Sequence, residues 1–289
     1  MSGLVWACCS AGRSDLLVKK TLSTLARGNF SGSLYVIVPS DELQTYQAAV
    51  ASAPIHCILL HCGRGLVRQR AHFRSMMLPG TEIVWIDDDI EAIKIRTPSG
   101  LEHARNLDAL AEFVFNSMAA HPDKPRLAGV YPMTNALFQK ASVASRYAYV
   151  VGALYFQVHD DTDPEPDEDE MEDWARCLGE HAVGRPVLRF NWIGIQTQYW
   201  KNPGGLQTLR TDAKRAAAVK RLAELYSPLV KVMTRRNGKP DLKFIKPTEY
   251  WEGGTPDSDS ALPESTPVPP TDEVPPLEPS EQYDPSGQE

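Results

Sequence analysis

"IVWIDDDIEAIK", residues 83–94, passes from an apolar run into three consecutive aspartates and then returns to apolar residues. We interpret residues 82–89 as a buried strand whose carboxyl end carries Asp87, Asp88 and Asp89. Three adjacent like charges cost free energy unless cations meet them, either basic side chains or a metal ion. The stretch therefore predicts a strand of a central sheet and a cation-binding edge at its end.

The chain before this stretch alternates between strand and helix patterns. The strands are predicted at 4–10, 33–39 and 55–61, and the helices at 14–27, 41–52 and 65–77. Ser14 or Asp15 should cap the first helix, and Ser40 or Asp41 the second. Repeated β-α units with short connections predict a parallel sheet covered by helices. In such sheets ligands bind beyond the carboxyl ends of the strands, where the aspartates lie.

The pattern changes after residue 100. Helices are predicted at 107–121, 172–182 and 211–226, and strands at 126–132, 146–159 and 185–192. The strand over 146–159 is unusually long, and Gly152 is expected to kink it. The chain as a whole is expected to be an α/β protein.

The C-terminal residues 247–289 differ in composition from the rest. They hold ten of the 23 prolines and eleven acidic residues, with no Lys or Arg. Such a segment buries too little apolar surface to offset its ordering entropy. We therefore expect a folded domain over 1–246 and a disordered acidic, proline-rich tail over 247–289.

Charge is distributed unevenly within the predicted domain. Residues 1–246 carry 30 basic and 26 acidic residues, and ten of those acidic residues fall between positions 160 and 173. Outside that block the domain is basic, which suits a polyanionic partner or a phosphorylated substrate. The five cysteines form no disulfide framework, and neither a signal peptide nor a transmembrane run is visible. These features predict a cytoplasmic protein without a membrane partner.

Two segments have the composition of anion-binding loops. "CGRGLVRQR", residues 62–70, places Arg64, Arg68 and Arg70 around the start of a helix, where phosphate groups bind readily. "KNPGGL", residues 201–206, allows close backbone approach to a ligand at Gly204 and Gly205. The alternatives are a solvated basic helix face and an ordinary turn.

Carboxylates at two places could perform chemistry. At the strand end, Asp89 is the best candidate ligand for a hard divalent cation, Asp87 or Asp88 could complete the shell or hold a ribose, and His159 is a further candidate ligand. Glu172 and Asp173 open a helix, where a carboxylate either caps the helix or acts as a general base. An acidic surface turn remains the alternative for the strand end.

The order of these motifs resembles the GT-A class of nucleotide-sugar glycosyltransferases. The segments that carry the resemblance are "VIVPS", "GRGLVRQR", "VWIDDDI", "EDWARCL", "LRFNW" and "NPGGLQTLR". More narrowly, they resemble the TET-associated glycosyltransferases of tailed bacteriophages, over roughly residues 3–245. The resemblance implies a Rossmann-type mixed sheet flanked by helices. It also implies Mn²⁺ or Mg²⁺ bound by Asp87 and Asp89 of an Asp-x-Asp motif, with Asp173, or less readily Glu172, as the base.

The same resemblance implies a reaction and its partners. A sugar would pass from a UDP-sugar to the hydroxymethyl group of a modified pyrimidine, 5-hydroxymethylcytosine, in DNA. The acidic segment 160–170 would repel phosphates, so it is expected to be a flexible loop away from the DNA, or else the acceptor is not DNA. The alternatives are a glycosyltransferase for a glycan, lipid-linked or protein acceptor, a catalytically silent binding module, and, ranked last, a nucleotidyltransferase.

Overall fold

A computed structural model describes residues 3–198, 205 and 210–255 of the chain. The helices are α1 (Ser14–Leu16), α2 (Ser23–Arg27), α3 (Leu43–Val50), α4 (Leu66–Arg74), α5 (Leu107–Ala120), α6 (Glu172–Ala182) and α7 (Asp212–Leu225). The strands are β1 (Leu4–Cys9), β2 (Leu34–Pro39), β3 (Cys57–Cys62), β4 (Glu82–Ile86), β5 (Ala92–Thr97), β6 (Gly100–His103), β7 (Leu127–Tyr131), β8 (Val143–Arg146), β9 (Leu154–Val158), β10 (Val187–Gln196), β11 (Val230–Thr234), β12 (Pro240–Phe244) and β13 (Glu249–Trp251). A π-helical stretch, Leu17–Leu22, joins α1 to α2.

Among the described residues, eleven strands form one mixed sheet. Nine of them follow the order β13-β8-β10-β7-β9-β4-β1-β2-β3, and β5 and β6 extend from β10. The pairs β3–β2, β2–β1 and β1–β4 are parallel, whereas β9 runs antiparallel between β4 and β7. Helices pack on both faces, so the predicted α/β fold with a mixed sheet flanked by helices is confirmed. No described helix has the length and apolar character needed to cross a membrane.

The order of the strands in the sheet changes direction at β1, because β2 and β3 lie on one side of it and β4 on the other. This strand pairs with β2 on one side and with β4 on the other, so the chain leaves β1 and β4 at the same edge of the sheet. Adjacent parallel strands whose connections diverge open a crevice at their carboxyl ends. The residues after Cys9 and those after Ile86 therefore meet across that crevice.

Apolar side chains fill both faces of the sheet. On one face, Leu17, Leu25 and Val114 bring the first helical segment and α5 against the strands. On the other face, Phe73 of α4 and Cys177 of α6 join a smaller cluster around Trp85 and Tyr155 of the strands. The helices that bear the predicted site residues are thus fixed by buried contacts, each worth about 1.5–3 kcal/mol.

Two predicted helix caps and one predicted strand are wrong. Arg13 precedes the first helix without a side-chain cap, and Ser40 and Asp41 form a 3₁₀ turn before α3 instead of capping it. The expected long strand is broken, because β8 ends at Arg146 and β9 begins only at Leu154. Residues 147–153 are apolar because they pack under α6, where the backbone N–H of Val150 contacts Cys177 Sγ at 3.3 Å. A loop that is buried against a helix can thus have the same run of apolar residues as a strand.

The predicted domain boundary at residue 246 is too early. Residues 249–251 form β13, which pairs antiparallel with β8 at the sheet edge. Trp251 packs against His121 with ring centroids 4.9 Å apart, and the Gly254 carbonyl accepts a hydrogen bond from Trp192 at 3.3 Å. The apolar residues of this short stretch therefore belong to the fold. Residues 256–289 of the predicted tail lie outside the described residues.

The acidic segment 160–171 is held against the domain by basic side chains. Its ion-pair partners are Arg126 and Arg185 for Asp163, Arg74 for Glu165, Arg221 for Asp167 and Glu168, and Arg210 and Arg215 for Glu170. Asp169 accepts a hydrogen bond from the backbone N–H of Val67 at 2.7 Å, in the first turn of α4. The expectation of a flexible loop is therefore wrong, because arginines from several elements hold the segment, although these six arginines offset the charge of its eight carboxylates only in part.

Gly179→Ala tests how tightly this segment packs on α6. Replacing a glycine inside a helix by alanine normally stabilises a protein by about 0.5–1 kcal/mol. Here the new Cβ would lie 2.5 Å from Cβ of Pro164, so we expect a loss of about 1–3 kcal/mol by overpacking. Urea unfolding measures the change, with Asn116→Ala at an exposed position of α5 as the control for helix propensity. A gain in stability at residue 179 would contradict the packing.

Candidate active site

A cleft of about 560 Å³ opens at the switch point of the sheet. Its floor is formed by the residues after β1 and β4, and one wall by the start of α4. The start of α6 and arginines of the segment 210–235 also line the cleft. The sequence-predicted residues that line it are Arg64, Asp87, Asp88, Asp89, Glu172, Asp173 and Gly205. The fold thus brings the strand-end carboxylates and the helix-start carboxylates into one cavity.

Asp88 and Asp89 are oriented by side chains from neighbouring elements. Asp88 is buried and accepts a 2.6 Å hydrogen bond from Ser10 and a 3.2 Å contact from Arg13. Asp89 accepts a 2.8 Å hydrogen bond from Thr197 and lies 3.4 Å from the same Arg13 guanidinium. Burial raises the pKa of Asp88 to about 6, although Arg13 and Ser10 oppose the rise. The positive charge next to Asp88 and Asp89 is therefore the guanidinium of Arg13.

Asp87 differs from its two neighbours because its side chain is open to the cleft. Forty per cent of that side chain is exposed, and its nearest ion-pair contact, Arg70, is 3.9 Å away. Desolvation raises the pKa of Asp87 to about 8, Arg70 lowers it, and the charges of Asp89 and Asp88 raise it further. A carboxylate in this environment gains free energy from an additional cation.

The donor set fits a cation that a bound phosphate completes. No group of three or more His, Cys, Asp or Glu side chains within the described part of the chain is arranged to hold a metal alone. Magnesium-type sites in transferases commonly use one or two carboxylates together with substrate phosphates. Asp87 is open to the cleft and could supply such a carboxylate, and Asp89, two residues along the chain, could supply a second one beside its contacts with Arg13 and Thr197.

His159 cannot belong to this shell, so its prediction as a metal ligand is wrong. Strand β9 runs antiparallel to β4, with Leu154 opposite Ile86 and Val158 opposite Glu82. His159 therefore lies at the amino end of β4, where its N–H donates to the Thr81 carbonyl at 2.8 Å. About five residues of strand, roughly 16 Å, separate it from the cleft edge.

Glu172 is held in a buried ionic cluster. Its carboxylate contacts Arg70 at 2.7 Å and also pairs with Arg176 one turn along α6. Burial would raise the pKa of Glu172, but Arg176 and Arg70 outweigh it and hold that pKa below its usual range. Because both arginines contact the carboxylate, Glu172 serves as their counter-ion.

Asp173 has the environment of a general base. One carboxylate oxygen accepts a short hydrogen bond from the Tyr149 hydroxyl, and the other accepts one from the Trp174 N–H at 2.9 Å. Burial raises the pKa of Asp173, and the adjacent Glu172 charge raises it further. Burial likewise raises the pKa of Tyr149, so this hydroxyl remains a donor. Asp173 faces the cleft at an angle fixed by Tyr149.

The predicted arginines occupy three different positions. Arg64 lines the cleft mouth, where it pairs with Asp41 at 3.1 Å and with Glu42 at 2.7 Å. Arg70 is buried beneath the floor and donates to the Gly152 carbonyl at 3.1 Å. Arg68 is exposed and is not among the residues that line the cleft.

The glycine loop is described only in part. Gly205 lines the cleft with a left-handed φ of +59°, and its N–H donates to the Ala11 carbonyl at 3.1 Å. A Cβ at this position would lie 2.9 Å from the Arg13 guanidinium carbon, so the loop passes close to Arg13, and the left-handed φ favours glycine. Gly204 lies outside the described residues.

Several cleft residues escaped the sequence interpretation. They are Ser10, Arg13, Tyr149, Thr197, Arg210, Arg215 and Arg235. Arg13 could have been found, because it follows the first predicted strand at the edge where ligands bind. Arg215 and Arg235 share Asp241 as an ion-pair partner, and this arrangement depends on contacts between distant parts of the chain.

Comparison with known proteins finds similarity to solved structures only. No protein-family model and no curated protein matches the sequence. S. aureus TarS, residues 1–349, aligns at 12% identity and a TM-score of 0.44, over 67% of this chain and 60% of that one. A CMP:2-keto-3-deoxy-manno-octonic acid synthetase complexed with CTP aligns at 11% identity and a TM-score of 0.43, over 76% of this chain and 100% of that one.

A third solved structure is similar over a smaller share of this chain. The 4-diphosphocytidyl-2C-methyl-D-erythritol synthase of Anaerococcus prevotii DSM 20548 aligns at 8% identity and a TM-score of 0.33. That alignment covers 63% of this chain and 77% of the other. The three similarities concern the path of the chain and transfer no activity to it.

Glu172→Gln tests the ionic cluster under the cleft. The variant leaves Arg70 and Arg176 buried without their carboxylate, which should reduce the free energy of unfolding by about 3–5 kcal/mol. The folded-state pKa of Glu172 is lowered, so its contribution is present above about pH 4.3 and disappears as the pH falls through that lowered value. Denaturant titrations of both proteins at pH 7 and at about pH 3.5 measure the difference.

The control for this experiment is Glu224→Gln. Glu224 pairs with Lys220 on the exposed face of α7, with 69% and 78% of the two side chains exposed. An exposed pair of this kind should change stability by less than about 0.5 kcal/mol. Equal losses in the two variants would contradict the buried role of Glu172.

Proposed function

We propose that the protein is a metal-dependent glycosyltransferase that moves a sugar from a UDP-sugar to a hydroxyl acceptor. The observation that carries the proposal is the meeting of two carboxylate groups in one cleft: Asp87 to Asp89 at the end of β4, and Asp173 at the start of α6. The first group suits a diphosphate with its cation, and the second suits an acceptor hydroxyl. A silent binding module would not require both.

The donor half of the cleft suits a nucleoside diphosphate. Asp87 and Asp89 would hold Mn²⁺ or Mg²⁺, which when bound neutralises charge on the diphosphate. Arg13 and Arg64 also line the cleft and can contact phosphate oxygens. Gly205, close to Arg13, leaves room for a ligand to approach the backbone.

The acceptor half of the cleft suits deprotonation of an alcohol. The acceptor oxygen forms a bond to the anomeric carbon of the sugar while the bond from that carbon to the diphosphate oxygen breaks. The proton of the hydroxyl passes to Asp173, and the electron pair of the broken bond leaves with UDP. Tyr149 holds the Asp173 carboxylate in place, and the raised pKa of Asp173 strengthens it as a base.

For the acceptor we propose a hydroxymethylated pyrimidine in DNA, 5-hydroxymethylcytosine. This choice is supported by the resemblance of the sequence motifs. Arg210, Arg215 and Arg235 line the same cleft as Asp173, where they are paired with Glu170 and Asp241. The ion pairs offset part of the charge of the acidic segment and so reduce its repulsion of a phosphate backbone. A glycan, lipid-linked or protein acceptor would use the same donor site.

Asp173→Asn tests the proposed base. The wild-type protein should add a sugar to an oligonucleotide containing 5-hydroxymethylcytosine when supplied with Mn²⁺ and a mixture of UDP-sugars. The amide cannot take the proton, so the transfer rate should fall by about 10²- to 10⁴-fold while UDP affinity is retained. Nucleoside mass spectrometry measures the product, with Asp123→Asn, at an exposed position before β7 that does not line the cleft, as the control. Full transfer by the Asp173→Asn variant would refute the assignment.

Asp87→Asn tests the cation site without any acceptor. Titration calorimetry should detect UDP binding that strengthens when Mn²⁺ is added to the wild-type protein. The variant should lose most of that metal-dependent gain, about tenfold or more, because an amide is a weaker ligand than a carboxylate for a hard cation. Asp123→Asn again serves as the control. An unchanged metal effect in the Asp87 variant would place the cation elsewhere.

A further inference from the structure

A loop beside the cleft presents apolar side chains to solvent. Met133, Leu137 and Phe138 are 46%, 82% and 54% exposed, and Leu137 is the most exposed large apolar residue in the described part of the chain. We call residues 132–139 the rim loop. Pro132 and Met133 line the cleft itself, so the loop forms part of its mouth.

The exposed side chains stand on a fixed base. Arg96 of β5 donates to the carbonyl groups of Ala136 and Gln139 at 2.7 and 2.8 Å. Gln139 is fully buried and donates to the Trp192 carbonyl at 3.2 Å. Asn135 closes the turn by accepting from the Leu137 N–H at 2.9 Å. The loop is therefore held firmly while its apolar side chains remain in water.

Strand β10 is shaped to let this loop approach. A Cβ at Gly194 would lie 2.6 Å from the Met133 carbonyl oxygen, so the loop rests directly on the backbone of β10. A partner that covered Leu137 and Phe138 would remove the most exposed apolar side chains of the loop from water. The gain in free energy would be proportional to the area covered. Exposed apolar residues on a fixed support indicate a surface that becomes covered by a partner.

The charge around the rim loop indicates a polyanionic partner. Lys94 and Arg96 alternate with the buried Ile93 and Ile95 on β5, so they share its outer face. Arg105, just after β6, is exposed as well, and Glu102 is the acidic residue of that strand. Basic side chains therefore outnumber acidic ones on and next to the two strands beside the loop.

We propose that the rim loop is a wedge that enters a DNA duplex and displaces the acceptor base toward Asp173. An acceptor base inside a duplex cannot enter a cleft without leaving the stack. Proteins that unstack bases commonly insert apolar side chains between base steps, supported by basic residues on the backbone. Leu137 and Phe138 would fill the space that the base leaves. The acceptor in this proposal rests on the proposed function, whereas the unstacking itself does not.

Binding and unstacking can be measured without sugar transfer. Duplex DNA carrying 2-aminopurine beside 5-hydroxymethylcytosine should gain fluorescence when the full-length protein is added, because unstacking relieves quenching. The double variant Leu137→Ser, Phe138→Ser should lose most of that gain. Leu78→Ser, at a 64% exposed position near the opposite end of β4, should retain it. No gain with the wild-type protein would overturn the proposal.

Transfer assays then separate this proposal from the proposed function. With duplex DNA the double variant should transfer sugar at least about tenfold more slowly than the wild type, and with the same strand unpaired the two should agree within about twofold. Thermal unfolding verifies that the variant is folded. Equal losses on both substrates would overturn the wedge. Absence of transfer by every protein, with the fluorescence change intact, would reject the glycosyltransferase while supporting the wedge.

Two further measurements address other partners for the same surface. Sedimentation with vesicles containing phosphatidylserine tests a membrane, and analytical ultracentrifugation tests a second copy of the chain. If the double variant loses vesicle binding or dimerisation that the wild type has, while the duplex fluorescence is unaffected, the wedge is overturned in favour of that partner.

Discussion

Arg70 connects the two carboxylate groups on which the site depends. Its guanidinium lies between Glu172 at 2.7 Å and Asp87 at 3.9 Å, and it is stacked near the rings of Trp85 and Tyr155. A buried arginine is stable only if carboxylates and carbonyls satisfy it. Because one carboxylate begins α6 and the other follows β4, these contacts tie the start of α6 to the end of β4 at the cleft.

The acidic segment repeats this arrangement on a larger scale. The segment contains no basic residue, so its counter-ions come from elsewhere in the chain. They include Arg74 of α4, Arg221 of α7 and Arg126 just before β7. Its side chains therefore act as ties between elements that are far apart in the sequence. Part of the excess of basic over acidic residues in the rest of the domain is therefore used in ion pairs with this segment. Only the basic residues outside these pairs are available to a ligand.

The sequence predicted what depends on local pattern. Apolar runs of five or six residues with short connections placed β1 to β4 and their helices, and α6 agrees with its prediction at both ends. Strands β5 and β6 were missed, because their alternation is short and lies between charged residues. The roles of Arg70 and His159 could not be predicted. One depends on a contact with a residue far away in the chain, and the other on the antiparallel direction of β9.

The last strand of the sheet has a consequence for the edge that it covers. Glu249–Trp251 pairs with β8, so the hydrogen-bonding groups on that side of β8 are already occupied. A chain cut at residue 246, where the composition changes, would leave β8 as an open edge. Unpaired edges recruit strands from other molecules. By pairing with β8, Glu249–Trp251 thus prevent edge-to-edge association of the domain. We expect a protein shortened at residue 246 to aggregate even though its cleft is complete.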